Sequence, residues 1–335
     1  MPVVSNMANL PTKVAKSATS PVQTRTKVLP SLSEVDIKNM RIFKEVVERS
    51  GFSAAAHMLG MEKSGVSRAV TQLEDRLGEV LCTRGPKGFE LSDFGRSVYA
   101  SAMMLADAVE AARSEMMRAR NALTGTIRLA VPDNCQSNPH AFLRDVLAKF
   151  GKQLPEAELH LHVMSSEAIR EALAERRVHM AISSSPLPEN RYVNEVMFDE
   201  EFRLYMQVER GVKVPHLAQL RSRGVALIRR EDDQLEHWHT DALEQLRDRK
   251  LYASGLEAVA LIMQSGPYAG FLPTHYVESR AHWMEYSEVL GSEALRYRLP
   301  FYMSYERDRP RAFVVSKMID FFSRSAKEAK AANPL

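Results

Sequence analysis

A run of short hydroxyl, amide and basic side chains between residues 63 and 77 has the spacing needed to read bases in DNA. On a helix these side chains share one face, and no acidic residue interrupts that face before Glu74. Donor groups at the N-terminal half of a helix suit insertion into the major groove. A polar helix face is more often only a solvated face, so the pattern needs support from its neighbours. The predicted base-reading and phosphate-binding residues of this helix are Lys63, Ser64, Ser67, Arg68, Thr71 and Gln72.

The elements that must position this face are two helices joined by a tight turn. Apolar residues recur at spacings of four, three and four from Val66 to Leu77, which predicts a helix over about 63–77. The alanine-rich segment before it predicts a short helix with Ser53 as N-cap and Gly60 at its end. Ser53 is also a predicted DNA contact. A further helix, over about 36–50, precedes this pair with its own apolar side.

A basic loop punctuated by glycine and proline follows the second helix. Its sequence, Arg84-Gly85-Pro86-Lys87-Gly88, is typical of a wing beside a helix-turn-helix. Arg84 and Lys87 are predicted to contact phosphate, which positions a protein on DNA without reading its sequence. Three helices and a wing in this order favour DNA binding over a merely solvated helix face.

Residues 35–95 resemble the winged helix-turn-helix of LysR-type transcriptional regulators. The resemblance is carried by Phe43, by the runs FSAAAHML and VSRAVTQLEDRLG, by the stretch from Leu81 to Lys87, and by Leu91-Ser92 with Gly95. The chain departs from the family pattern at Cys82, where the family usually has Phe, and at Lys63 and Glu62, where Gln and a Ser or Thr cap are common. The resemblance implies a DNA-binding regulator whose promoter activity responds to a small molecule.

Composition narrows the class of protein. The 335 residues carry a formal net charge of +3, so overall charge does not indicate nucleic-acid binding. Cys82 and Cys135 lie far apart without metal-ligand spacing, which argues against a disulfide scaffold and a zinc site. No apolar run reaches the ~20 residues of a membrane span, and no signal peptide is recognisable. We predict a cytoplasmic protein without membrane contact, cofactor or metal.

The two segments that flank the predicted DNA-binding domain, residues 34–91, have distinct compositions. Residues 1–33 contain four prolines, four basic residues and no acid, which predicts a disordered basic tail. Residues 92–123 predict a long helix with an apolar stripe of near-heptad spacing, made up of Phe94, Val98, Ala102, Leu105, Val109, Ala112, Met116 and Leu123. Such a stripe usually pairs with another helix. In the resembled family this is the linker helix that dimerises, and the resemblance implies a homodimer or homotetramer, with RNA polymerase as a further partner.

Residues 124–335 alternate strands and helices. The first part, with a helix predicted over Pro139–Phe150, reads as β-α-β-α-β with short connections, which predicts a parallel, mostly doubly wound sheet. Extended stretches follow at 192–198 and 201–208, and a second alternating set includes a helix near 234–247. Two such lobes joined by crossing strands resemble a periplasmic-binding-protein fold, which is that of the family's effector domain. We assign 124–198 and 299–335 to lobe one and 199–298 to lobe two.

Ligands of open α/β sheets bind outside the carboxyl ends of strands, against helix N-termini. Hydroxyls and an arginine converging there suit a small organic anion. Asp133 would oppose an anion, so a zwitterionic or different ligand stays open. Each serine taken alone is more often a helix cap worth ~1 kcal/mol. The predicted effector-binding residues at these strand ends are Ser137, Asn138, Ser165, Ser166, Ser184, Arg229 and Ser254.

The alternative is a solute-binding or enzymatic α/β protein without DNA binding. No GxGxxG, P-loop, HExxH or GxSxG motif occurs, so catalysis is not expected. A solute-binding protein would have no use for residues 35–95. His160 and His162 share a strand face but lack a third ligand, and His237 and His239 do not share a helix face, so packing or solvent exposure is favoured over metal binding. Oxidant sensing by Cys135 is disfavoured because the nearest charge is the acid Asp133.

Overall fold

A computed structural model describes residues 29–85, 88–120, 122–133, 135–209, 211–230, 243, 246, 251–280 and 285–332. In the N-terminal part the described residues form three short helices, a two-stranded antiparallel wing and a long helix. In chain order these are α1 (Glu34–Glu48), α2 (Phe52–Leu59), α3 (Lys63–Leu77), β1 (Cys82–Gly85), β2 (Gly88–Leu91) and α4 (Asp93–Arg118).

The apolar faces of α1, α2 and α3 meet in one core. Phe43, Val46, Val66 and Leu73 are completely buried there, as the helical spacing predicts. The prediction of Ser53 as an N-cap is wrong: α2 begins at Phe52, its N-cap position is Gly51, and no side chain caps it. Extended backbone at a glycine already turns the chain into the helix here, so Ser53 falls inside the first turn and is exposed.

The two halves of the long helix α4 have different environments. It starts after the N-cap Ser92, whose hydroxyl accepts a hydrogen bond from Gly95 N, and it ends at Arg118, five residues before the predicted end at Leu123. The predicted single stripe is divided. Its first half, which includes Val98 and Leu105, packs into the core of α1 to α3. Val109 and Met116 in the second half are 63% and 66% exposed.

The described residues of the C-terminal part form one nine-stranded mixed sheet covered by helices. Its strands are β3 (Gly125–Val131), β4 (Ala157–Val163), β5 (Met180–Ser183), β6 (Tyr192–Gln207), β7 (Ala226–Arg230), β8 (Leu251–Ala253), β9 (Tyr268–Pro273), β10 (Tyr286–Glu288) and β11 (Tyr297–Glu306). Its helices are α5 (Leu143–Gln153), α6 (Ser166–Ala174), α7 (Leu256–Gln264), α8 (Thr274–Arg280) and α9 (Phe313–Ala332). The strand order is β4-β3-β5-β11-β6-β9-β7-β8, with β10 paired to β6.

Two long strands join the lobes. Within each lobe the strands pair in parallel, as predicted: β3 with β4 and β5, and β7 with β8 and β9. The crossing strands β6 and β11 are antiparallel to each other and to the strands beside them. The sheet is therefore mixed, because each crossing strand runs through both lobes. Each lobe keeps its own apolar core.

Two further local expectations were wrong. The two extended stretches after residue 192 are one continuous strand, β6. The helix predicted over Pro139–Phe150 is broken at Phe142, whose backbone is left-handed, into a short 3-10 turn and α5. Helix α8 carries no amphipathic signal long enough to predict it. The helix predicted near 234–247 falls almost entirely outside the described residues.

A buried charged cluster joins α4 to the C-terminal α/β domain. Arg309, which is 4% exposed, donates through Nε to Asp107 Oδ2 on α4 at 2.6 Å and through its terminal nitrogens to the carbonyls of Val178 and Arg176. His179 Nε2 lies 3.5 Å from Asp107 Oδ1. Burial is the main cause that lowers the pKa of His179 to about 4. Burial also acts to raise the pKa of Asp107, but hydrogen bonds from His179 and Arg309 outweigh it and the pKa is lowered.

Candidate functional site

The polar face of α3 is presented to solvent. Lys63, Ser64, Arg68, Thr71 and Gln72 are exposed, and Ser67 is half-buried, while the opposite face packs on α1 and α2. No side chain caps the N-terminus of α3, where the N-cap residue is Glu62. The backbone N–H groups of an uncapped first turn suit a phosphate oxygen. The first acid on the helix is Glu74, whose Oε1 accepts a hydrogen bond from Leu81 N at 2.8 Å and so fixes the start of the wing.

The wing is held against the helices by packing. The rings of Phe52 on α2 and Phe89 on β2 meet edge to face with centroids 6.2 Å apart. Arg84 lies in β1, paired with Phe89 across the hairpin, while Lys87 lies outside the described residues. Of the two predicted phosphate-binding residues of the wing, the structure therefore gives only the backbone position of Arg84.

A cleft between the two lobes contains part of the predicted effector site. Ser165, Ser166 and Ser184 line it, as the strand-end argument predicts. Ser165 also caps α6, because its hydroxyl accepts a hydrogen bond from Ala168 N. The space between the lobes is about 40 Å³. The full set of lining residues is Pro132, Asp133, Met164, Ser165, Ser166, Ser184, Glu200, Phe202, Arg230, Leu256, Leu299 and Phe301.

The predicted arginine is displaced by one position. Arg230 lines the cleft, whereas Arg229 does not and instead lies with its guanidinium 5.8 Å from the Tyr252 ring centroid. Neighbouring residues of a strand point to opposite faces of the sheet. Of the adjacent pair Arg229 and Arg230, therefore, only one side chain can point toward the cleft. Ser254 is exposed and does not line the cleft.

Ser137 and Asn138 belong to a buried polar network beside the cleft and do not line it. Asn138 Nδ2 donates to Glu200 Oε1 at 3.0 Å, and His275 Nε2 lies 3.1 Å from the same oxygen. Because a carboxylate only accepts, His275 Nε2–H donates. In a neutral ring Nδ1 then accepts from the Ser137 hydroxyl 3.0 Å away. Ser137 on lobe one is thus linked to α8 of lobe two.

Sequence reasoning missed Glu200 and underestimated Asp133. Glu200 lies in the middle of a crossing strand, where no turn or motif marks it. Asp133 follows β3, and its Oδ2 accepts a hydrogen bond across the cleft from Leu256 N at the start of α7, at 2.9 Å. The close approach is matched by Gly255, where an added Cβ would lie 2.9 Å from the same oxygen. The strand-end rule could have found Asp133, but only the fold brings in Glu200.

The remaining reactive groups form no further site in the part of the chain that is described. Cys135 is buried, and burial above all raises the pKa of its thiol, with Glu200 and Asp133 adding to the shift. His160 contacts Glu158 at 2.8 Å. No group of three or more His, Cys, Asp or Glu side chains is arranged to hold a metal ion among the described residues. Nor is any described helix both long and apolar enough to cross a membrane.

Comparison with protein families accounts for both parts of the chain. Residues 37–96 match the bacterial regulatory helix-turn-helix model of the lysR family, and residues 120–327 match the LysR substrate binding domain. The second match alone covers more than half of the chain. The protein belongs to the LysR family of transcriptional regulators. This LysR-type regulator therefore has a helix-turn-helix domain and an effector-binding domain, as the resemblance of residues 35–95 implied.

Individual relatives agree with this assignment. The HTH-type transcriptional activator BauR of Pseudomonas aeruginosa is 29% identical over 280 residues, which cover 78% of this chain and 85% of BauR. The HTH-type transcriptional regulator CrgA of Neisseria meningitidis serogroup C is 30% identical over 172 residues, which are 51% of this chain and 56% of CrgA. The crystal structure of ArgP from Mycobacterium tuberculosis superposes with a TM-score of 0.64 over 88% of this chain and 98% of that one, at 17% identity. At that identity the likeness to ArgP concerns the fold.

Proposed function

We propose that this LysR-type regulator reads its operator with the exposed face of α3. The proposed contacts on α3 are Lys63, Ser64, Ser67, Arg68, Thr71 and Gln72, with Ser53 on α2 and Arg84 and Lys87 of the wing on the backbone. The observation that carries the proposal is the exposure of a face without acids at the N-terminal half of α3, beside an uncapped helix end. Short donors there match the edges of major-groove bases, and the two cations match phosphate or guanine.

The double variant Ser67→Ala/Arg68→Ala tests these contacts. Loss of a base contact costs about 1–3 kcal/mol, so specific binding should weaken at least about fivefold. The measurement is a gel shift on genomic fragments that the wild-type protein selects. The matched control is Arg221→Ala/Ser222→Ala, an adjacent exposed pair of the same residue types in lobe two. Operator binding by the first variant that equals that of the control would show that α3 is not the reading helix.

We infer that the effector binds in the interlobe cleft. Ser165, Ser166 and Ser184 support this, since they gather at the N-terminus of α6 and at the end of β5. Arg230, and not Arg229, is the arginine proposed to contact the effector. Ser137 and Asn138 do not contact the effector directly; they support the cleft residue Glu200, Asn138 by its own hydrogen bond and Ser137 through His275. A ligand can shift the protein only by binding one arrangement of the lobes better than another. Contacts from both lobes to one molecule provide such a preference.

We propose that two copies associate through the exposed half of α4. The face with Asp107 and Ser114 packs on the chain's own effector domain, where Ser114 Oγ accepts a hydrogen bond from Phe313 N. The opposite face presents Val109, Ala112 and Met116 to solvent, at the spacing of a helix pair. A dimer would place two α3 helices on neighbouring half-sites.

The other proposed associations follow from the same function. A tetramer would add a contact between effector domains, and RNA polymerase would be the further partner at the promoter. The expected compartment is the cytoplasm.

A charge placed at Val109 should weaken this dimer. Val109→Glu buries an unpaired carboxylate in the seam, and we expect at least a tenfold higher dimer dissociation constant, or about 1.4 kcal/mol. The readout is sedimentation velocity at micromolar protein. Val212→Glu, at a valine that is 53% exposed in lobe two, is the control. A monomeric wild type, or a variant that dimerises as well as the control, would contradict the α4 interface.

A further inference from the structure

Two polar contacts join the lobes at the cleft. In the first, Asp133 Oδ2, just after β3 of lobe one, accepts a hydrogen bond from Leu256 N at the start of α7 in lobe two, at 2.9 Å. In the second, Ser137 Oγ of lobe one lies 3.0 Å from His275 Nδ1 on α8 of lobe two. Both contacts exist only while the two lobes lie against each other.

The first contact is a helix cap that the opposite lobe supplies. The N-cap residue of α7 is Gly255, which has no side chain to accept from the first turn, and the Asp133 carboxylate takes that place. Its negative charge also suits the positive end of a nine-residue helix. Charge-assisted hydrogen bonds of this kind are stronger than neutral ones. Lobe one therefore stabilises α7 of lobe two only when the cleft is closed.

The fit at this contact depends on glycine at residue 255. A Cβ on Gly255 would lie 2.9 Å from Asp133 Oδ2, so the carboxylate would have to move. An alanine there would displace the acceptor from Leu256 N without removing either partner of the hydrogen bond. The φ of Gly255 is 82°, so alanine would also strain the backbone. Gly211, with a φ of 83° and nothing within 4 Å of an added Cβ, reproduces the strain without the contact.

The second contact is anchored in a buried network. His275 Nε2 also donates to Glu200 Oε1 on the crossing strand β6 at 3.1 Å, and Asn138 Nδ2 donates to the same oxygen at 3.0 Å. Glu200 and Asn138 are 7% and 4% exposed, so water does not compete for these hydrogen bonds. Hydrogen bonds are stronger in such a less polar environment. Separation of Ser137 from His275 would open this network to water.

The space that these contacts enclose is small. A volume of about 40 Å³ has room for roughly three waters, since one water needs about 10–15 Å³ of such space. A metabolite larger than this reaches the lining residues only when the lobes move apart. Contacts that hold the lobes together therefore also control entry to the cleft.

We propose that the contacts Asp133–Leu256 and Ser137–His275 form an interlobe latch, which holds the cleft closed and must release before an effector enters. The proposal rests on the proposed effector function of the cleft and adds how access to it is regulated. An effector then has to bind well enough to offset the loss of the interlobe latch, because a ligand shifts the lobes only through its preference for one arrangement. Weakening the latch shifts the same equilibrium without an effector, so the protein alone provides the test.

Distances between spin labels on the two lobes measure this equilibrium in the full-length protein. Lys152→Cys in lobe one and Arg221→Cys in lobe two, both exposed positions, carry the labels in a Cys82→Ser background, while Cys135 is buried. Labelled chains are mixed with an excess of unlabelled chains, so that the distances come from within one chain. The wild-type lobes should give one predominant short distance. Asp133→Ala should raise the ratio of open to closed lobes about tenfold or more, as expected for loss of a hydrogen bond to a charged group.

Gly255→Ala should also raise the ratio, because it displaces the Asp133 carboxylate without deleting a polar group. Gly211→Ala is its matched control and should keep the wild-type distance, since the backbone conformation is the same and the space around it is open. Asp133→Asn keeps an oxygen for Leu256 N, so it should shift the ratio less than Asp133→Ala.

His275→Ala tests the second contact and should likewise raise the ratio of open to closed lobes. Its control is His140→Ala, at an exposed histidine of lobe one. Distances in Gly255→Ala and His275→Ala that equal those of their controls would overturn the interlobe latch, as would a wild type whose lobes are predominantly open. The measurement uses neither DNA nor an effector, so these results would overturn the latch alone. Failure of the proposed DNA-binding function would instead appear in a gel shift, with the distances unchanged.

Discussion

Replacement of Arg309 by alanine is expected to lower the free energy of unfolding by about 3–5 kcal/mol, the range for removing one partner of a buried ion pair. The variant leaves the Asp107 carboxylate without its closest cation and the carbonyls of Val178 and Arg176 without donors. His179 and Arg128 remain 3.5 Å from the other oxygen of Asp107, which places the effect toward the lower end. Urea denaturation gives the free energy, and hydrogen exchange of α4 shows whether the helix separates from the effector domain.

Two comparisons make this result specific. Arg309→Lys keeps the charge but cannot donate to three acceptors in the plane of a guanidinium, so it should be intermediate. Arg307→Ala removes an exposed arginine that donates to the carbonyls of Glu189 and Tyr192, and should change stability by less than about 1 kcal/mol. If Arg309→Ala is as mild as Arg307→Ala, the buried cluster does not fasten α4 to the effector domain.

Gly95→Ala is expected to destabilise the DNA-binding domain by about 3 kcal/mol or more, at the upper end for overpacking. A Cβ on Gly95 would lie 1.9 Å from the carbonyl oxygen of Leu81 and 2.8 Å from its carbonyl carbon. Both are backbone atoms, so no side chain can move aside. Leu81 is also held by hydrogen bonds from Ser92 N to its carbonyl and from its own N–H to Glu74. The wing and the start of α4 should therefore be displaced together.

The consequence of Gly95→Ala for function is measurable in the same protein. Faster hydrogen exchange across residues 34–105 and weaker operator binding are expected, with the effector domain unaffected. Gly151→Ala is the matched control: it is also a helical glycine, but nothing lies within 4 Å of its added Cβ. That variant should be more stable by about 0.5–1 kcal/mol, because alanine favours the helix. Equal exchange in the two variants would contradict a packing role for Gly95.

The sequence by itself determined the DNA-binding half. The apolar spacing from Val66 to Leu77 fixes which face of α3 is buried, and the same spacing leaves Lys63, Ser64 and Arg68 outside. These are local relations within one helix and its neighbours in the chain, so periodicity captures them. The order of strands and helices likewise determined two α/β lobes with parallel pairing inside each. For residues 35–95, both the residue pattern and the resemblance to LysR-type regulators agree with the family that the comparisons show.

Only the tertiary structure decided the composition of the cleft. The strand-end rule selected Ser165, Ser166 and Ser184, because they follow strands directly. It could not choose between Arg229 and Arg230, since a boundary uncertainty of one residue reverses the face of a strand. Glu200 was not foreseeable, because it comes from the middle of a strand that crosses between lobes.

Tertiary structure also decided how α4 is used. The apolar stripe from Phe94 to Met116 is continuous in sequence. Its first half packs against the core of α1 to α3, and its second half is exposed to solvent. The partner of Asp107 is Arg309, about two hundred residues later in the chain. Local spacing states which side chains share a helix face, but contacts between distant segments depend on how the whole chain packs, and those contacts fix the effector cleft and the junction with α4.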